Sequence, residues 1–152
     1  MDRPTHLIEY ETMLLGRYSL AVAAGAGADH GHLERSAYIL LSRVRAEGPM
    51  SIRELSDAFG LDQSTLNRQT SAMTRAGLLE RIPDPGGGIA RKFRITAAGE
   101  RRLAEHRDGV IRGLDKVLAG WTPDDVAAFA AYLKRFNTDI ERLSGRAWPR
   151  PE

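Results

Sequence analysis

Hydrophobic positions recur at helical spacing along most of this chain, and the places where that spacing narrows or changes period are the informative ones. Leu7, Leu14, Tyr18 and Ala21 fall on one stripe of a first helix, which the small, Gly-rich run Ala23 to Gly31 is expected to end. A second helix reads from Glu34 to Glu47, with Tyr38, Leu41 and Val44 on one side and Ile39 and Leu40 widening it; Gly48-Pro49 stops it. Ser51 and Glu54 have the spacing of a capping box, opening a short helix with Ile52, Leu55, Ala58 and Phe59 inward and Gly60 at its end. Asp62 caps the next helix, from Gln63 to about Ala76, closed by Gly77; its apolar stripe (Leu66, Thr70, Met73) is narrow. The period then changes to two. Leu78–Ile82 is expected as a strand, Pro83-Asp84-Pro85-Gly86-Gly87-Gly88 as a turn, and Arg91–Ile95 as the returning strand, with Phe93 and Ile95 inward. Thr96 caps a long helix to about Ala119, with Val110, Leu114 and Val117 in phase. Thr122-Pro123-Asp124-Asp125 restarts a helix carrying Val126, Phe129, Leu133, Phe136, Ile140 and Leu143. The tail from Gly145 to Glu152, with Pro149 and Pro151, is expected to be loose, Trp148 being a side chain that can dock.

Two short helices joined by Phe59-Gly60-Leu61-Asp62 form a helix-turn-helix pattern: Gly for a left-handed turn, Leu as a plug, Asp to start the second helix. Outside its narrow stripe that second helix carries Gln63, Ser64, Thr65, Asn67, Arg68, Gln69, Ser71 and Arg75. Short or planar hydrogen-bonding groups of this kind match base edges and phosphates in the major groove. A merely solvated face would be richer in Glu and Lys, and no acid lies between Asp62 and Glu80. Charge adds to this only through its distribution. The net value is +2, but residues 62–96 hold six cations (Arg68, Arg75, Arg81, Arg91, Lys92, Arg94) against three acids (Asp62, Glu80, Asp84). A basic patch on a near-neutral chain suits a phosphate backbone.

The run Ile52 to Arg68 resembles the helix-turn-helix of the MarR family of winged helix-turn-helix transcription regulators. Ala76-Gly77-Leu78-Leu79-Glu80-Arg81 resembles that family's entry to the wing, and Ile95-Thr96-Ala97-Ala98-Gly99 its exit. The resemblance covers residues 34–105 well; the first and last helices match by position and length. It implies one domain over residues 1–152, mainly α with a small β-hairpin wing: a winged helix-turn-helix (34–96) flanked by dimerisation helices (1–33 and 97–144), then the tail 145–152. It implies a ligand-responsive repressor, a homodimer on double-stranded DNA at a pseudo-palindromic operator. The residues assigned to DNA are Ser64, Thr65, Asn67, Arg68, Gln69, Arg75, Arg91 and Lys92. The wing departs from the family. Where relatives carry an Asp-Arg-Arg-like tip, this chain has Gly87-Gly88-Ile89, so Arg91 and Lys92 take the phosphate role and minor-groove contact is left open. A homodimer also follows from apolar surface. Leu7, Leu14, Val110, Leu114, Leu118, Phe129, Leu133, Phe136, Ile140 and Leu143 exceed what a winged helix of residues 34–96 can cover, unless they pack on one another within one chain.

Other chemistry is sparse. There is no cysteine, so no disulfide, thiolate site or cysteine redox switch. No apolar run approaches the ~18 residues of a membrane span, and the start lacks the pattern of a secretion signal, so the cytoplasm is the expected compartment. His30 and His32 are the nearest approach to a metal motif and lack companions; no metal, cofactor or catalytic constellation is expected. Gly86-Gly87-Gly88 lacks the Lys-Ser/Thr of a phosphate loop. Tyr10, Tyr18, Tyr38 and Trp121 are candidates to line a space for a small aromatic effector, though each reads more readily as core. The rival reading from another class is a winged helix used as a protein-interaction module without specific DNA binding.

Overall fold

Leu40, Leu41, Leu55 and Leu66 have no exposed surface at all, and they come from three successive helices that meet at one point. The computed structural model describes residues 2–18 and 33–151. Among these the elements run α1 (Thr5–Leu15), α2 (Arg35–Glu47), α3 (Ile52–Phe59), α4 (Gln63–Arg75), β1 (Leu79–Ile82), β2 (Lys92–Ile95), α5 (Ala97–Val117) and α6 (Pro123–Ser144). Helix α2 is the centre: Ala37, Leu40, Leu41 and Val44 repeat every three or four residues and bury one face. Against it pack α4, β2 and α5, while α3 packs on α4. The architecture is the mainly helical winged helix expected from the chain.

The hairpin is a two-stranded antiparallel sheet with Leu79 opposite Ile95, Glu80 opposite Arg94, Arg81 opposite Phe93 and Ile82 opposite Lys92. A bridge from Met50 extends it: Met50 N–H donates to Phe93 O at 3.1 Å and Phe93 N–H to Met50 O at 2.8 Å. The wing is thus tied by backbone to the linker between α2 and α3. Its base is tied to α5 as well. Thr96 Oγ1 donates to Gly77 O at 2.6 Å while capping α5 through Gly99 N–H. Gly99 is required there, because a Cβ would lie 2.2 Å from Leu78 O.

The outer helices behave differently. Neither α1 nor α6 buries a single residue within the chain. Leu7, Phe129, Leu133, Phe136, Ile140 and Leu143 are all exposed. The chain presents 10893 Å² of accessible surface, where a compact monomer of its mass presents about 7,700 Å². Helix α1 stops at Leu15, short of the expected Gly-rich terminus, because Gly16 lowers helical propensity and the last bonds tighten to three-residue turns (Arg17 N–H to Leu14 O, 3.0 Å). The run Ala23 to Gly31, with Ala21, His30 and His32, lies outside the described residues.

On α5 the residues that the chain itself buries are Gly99, Leu103, His106, Gly109 and Gly113. The expected apolar stripe is turned partly away: Val110 and Leu114 are half-buried and Val117 is exposed. The buried His106 ring packs on Tyr38 with centroids 4.6 Å apart, and its Nδ1 accepts the Leu33 N–H at 3.1 Å. Beyond α6, residues 146–151 form no helix or strand, and Trp148 docks on Phe59. No helix among the described residues is long and apolar enough to cross a membrane.

Candidate nucleic-acid interface

Recognition geometry begins with the caps. Ser51 Oγ accepts Glu54 N–H at 3.1 Å and Glu54 Oε1 accepts Ser51 N–H at 3.2 Å, the reciprocal pair that starts α3. Gly60 ends α3 at φ 65° and ψ 28°, left-handed backbone that a side chain would strain. The chain reverses through Leu61, and Asp62 starts α4 by accepting Thr65 N–H at 3.1 Å. The Thr65 hydroxyl and backbone N–H hold the Asp62 carboxyl below its ordinary range, so it stays a charged cap.

Helix α4 buries only Leu66 and Thr70, and Thr70 spends its hydroxyl on Leu66 O at 2.8 Å. Most of the other polar side chains are turned outward. Ser64, Arg68, Ser71 and Arg75 succeed one another at spacings of four, three and four, one straight stripe on an α-helix. All four are exposed, with Asn67 and Gln63 exposed beside them. Thr65 and Gln69 are half-buried at the edges of the stripe. Arg68 Nη2 donates to Thr65 Oγ1 at 3.3 Å, which aligns the guanidinium along the first turns of the helix. Ser71 was not among the residues assigned to DNA from the sequence, yet it shares the stripe; the signal was its spacing from Arg68 and Arg75.

The wing brings a second set of groups. Arg91 is exposed and has no ion pair among the described residues. Lys92 is committed inward: its Nζ lies 3.0 Å from Glu54 Oε1 and 3.8 Å from Asp84 Oδ1. The hydrogen bond that the Lys92 ammonium donates to Glu54 raises it above its ordinary range. Arg94 is paired with Glu80 across the strands, and Arg81 lies over the Phe93 ring. At the tip, Asp84 Oδ1 accepts Gly86 N–H at 2.8 Å and Asp84 O accepts Gly87 N–H at 3.0 Å. The turn is internally bonded and carries its carboxylate inward. What it shows outward is Ile89, wholly exposed.

The aromatic residues considered for an effector do not assemble. Tyr38 packs at the core beside His106, Tyr10 and Tyr18 are exposed, and Trp121 leans on Phe129. A cleft of about 370 Å³ lies elsewhere, behind α4, with Leu33, Gln69, Arg68, Met73 and Arg102 among its walls. No group of three or more His, Asp or Glu residues among the described residues has metal-binding geometry.

Comparison with known proteins places this geometry. Residues 32–88 match a model of the MarR family. The uncharacterized HTH-type transcriptional regulator YxaD of Bacillus subtilis is 33% identical over 136 residues, covering 90% of this chain and 94% of that protein. Among solved structures, the crystal structure of MarR superposes with a TM-score of 0.75 at 23% identity, over 97% of this chain and 99% of that one. A MarR family protein from Bacillus stearothermophilus gives 0.72 at 20% identity, over 92% and 99%. The PcaV transcriptional regulator from Streptomyces coelicolor, solved in complex with its natural ligand, gives 0.62 at 25% identity, over 91% and 94%.

Proposed function

This chain belongs to the MarR family of transcriptional regulators, and from that premise we propose that it is a homodimeric, effector-responsive repressor that reads a pseudo-palindromic operator with helix α4. The observation that carries the reading is the stripe Ser64–Arg68–Ser71–Arg75, exposed, free of acids and backed by a single buried row. Ser64, Thr65, Asn67, Arg68 and Gln69 sit in the first two turns after the cap, where a recognition helix points into the groove. Arg68 is the reader of guanine O6 and N7; Arg75, farther along, and Arg91, on the wing, meet phosphates. Lys92 reaches a phosphate only by leaving Glu54, so its part is chiefly to hold the wing against α3.

The dimer rests on surface. The chain's excess over a compact monomer is about 3,000 Å², so two copies bring about 6,000 Å², enough for the largest class of obligate dimer interface, and the exposed apolar residues of α1 and α6 contribute to it. Two copies of α4 around a two-fold axis occupy successive major grooves, and the bound dimer blocks polymerase by occupancy. An effector acts by favouring one spacing of the two helices. PcaV is described with its natural ligand. In this chain the cleft behind α4 has Arg68 and Gln69 in its wall, so a small aromatic guest there bears directly on the reading helix. The operator lies in the cytoplasm, and the protein acts there.

Selection of genomic fragments by the purified protein tests the reading. The expected result is a symmetric motif with half-sites about one helical turn, roughly 10 bp, apart. A winged helix serving only protein partners would instead show no salt-dependent retention of DNA and recover no motif.

A further inference from the structure

Helix α6 ends at Gly145 with φ 70°, and the chain beyond it comes back to the helix pair that holds α4. Arg146 Nε donates to Asp57 O, in the last turn of α3, at 3.2 Å. A cation at that end of a helix meets its unsatisfied carbonyls. The same guanidinium covers Gly60 so closely that a Cβ there would lie 2.9 Å from Cζ. Trp148 stacks on Phe59, ring centroids 5.5 Å apart and planes 16° from parallel. The Arg43 guanidinium lies 4.7 Å from the Trp148 centroid, and its Nη1 donates to Ala147 O at 3.4 Å. Arg43 is itself buried and bonded to Glu47 at 2.9 Å, so the tail rests on a fixed cation. Arg150 then returns to α6, giving two hydrogen bonds to Glu141 at 2.9 and 2.6 Å.

These contacts join elements that otherwise scarcely meet. Among the described elements α6 shares no broad packing with any other. The tail touches Gly60, two residues before the Asp62 cap of α4. We propose that residues 145–150 are a strap that fixes the DNA-reading helix pair relative to α6, with Trp148 and Arg146 as positioning residues for α4. The inference rests on α4 as the reading helix; the strap itself sets how sharply the two α4 helices of a dimer are held at one spacing.

The chain has no cysteine, so Ser71→Cys on α4 and Arg135→Cys on α6, both at exposed positions, introduce a clean pair of spin-label sites. Labelled full-length chain is mixed into excess unlabelled chain, and the distance distribution within one chain is measured by pulsed electron resonance. The strap predicts one narrow distance with the native tail and a distribution broadened about twofold by Trp148→Ala, as expected of a released hinge. Trp148→Phe, which keeps a ring on Phe59, restores the narrow distance. Arg146→Ala broadens it too, and carries the test if Trp148→Ala proves unfolded by circular dichroism. Unchanged narrow distributions in Trp148→Ala and Arg146→Ala overturn the strap. Failure of the native protein to bind any operator would overturn the reading role of α4 and leave these distances to judge the strap alone.

Discussion

At position 89 the wing ends on an isoleucine in full solvent, on a turn whose carboxylate, Asp84, is folded inward and faced by Lys92. A tip built this way offers DNA neither a cation nor a repelling charge. Replacing Ile89 by Arg is therefore expected to tighten DNA binding and to steepen its salt dependence by about one released counterion per subunit. Titration of affinity against salt checks this; an unchanged slope, with the tip crosslinking to DNA, would contradict it. The residues legible in the sequence were those whose partners are a few positions away. Ser51 with Glu54, Asp62 with Thr65, Thr96 with Gly99 and Thr122 with Asp125 all cap as their spacing dictates. Lys92, His106 and Arg43 were not legible in the same way, because Glu54, Leu33 and Trp148 approach them only after the chain has folded. A lone histidine on a helix gives no sign that a backbone N–H from the distant Leu33 will fill its Nδ1.

Among elements, α3 and the wing are joined by one polar clamp, and it has a pH signature. Burial pushes the Glu54 carboxyl up, but the Lys92 ammonium and the Ser51 N–H and hydroxyl outweigh it and leave it below its ordinary 4.5. Its stabilising contribution is therefore complete above that ordinary value and is lost as pH falls through the lowered one. Lys92, raised above its ordinary 10.5, contributes below that value and loses its contribution as pH rises through the raised one. Glu54→Gln is expected to lower the melting temperature by a constant amount across the neutral range. The gap should close in acid, as pH falls through the lowered Glu54 value. A gap of undiminished size in acid would contradict the clamp. Element identities were readable because period and caps agree: a narrow stripe for α4, alternation for β2, a Thr-Pro start for α6. The inner face of α5 was harder to read. Its buried positions include three glycines, which carry no hydrophobic signal yet permit close approach, as Leu78 O does over Gly99.

For the whole molecule, the decisive feature is apolar surface without a cover. Light scattering on the purified chain is expected to give about twice its 16.8 kDa mass. A monomer at micromolar concentration would remove the dimer. The fold could be anticipated from local patterning, and so could the surplus of hydrophobic residues in α1, α5 and α6. Whether that surplus closes on itself was not readable, since periodicity fixes which side of a helix is apolar but not what lies opposite. The structure shows it open: Leu133 and Phe136 remain exposed on α6, and that helix's end is anchored by the tail, which reaches Phe59, Arg43 and Asp57.

The reading of DNA by the outward stripe of α4 is tested most directly by comparing Arg68→Ala and Arg75→Ala on the selected operator and its single-base variants. Arg68→Ala is expected to cost about 1–3 kcal/mol per contact and to relax preference at one position of each half-site. Arg75→Ala is expected to weaken all sequences alike and to flatten the salt dependence by about one charge per subunit. Equal, sequence-blind losses for both variants, or none for either, would contradict the account.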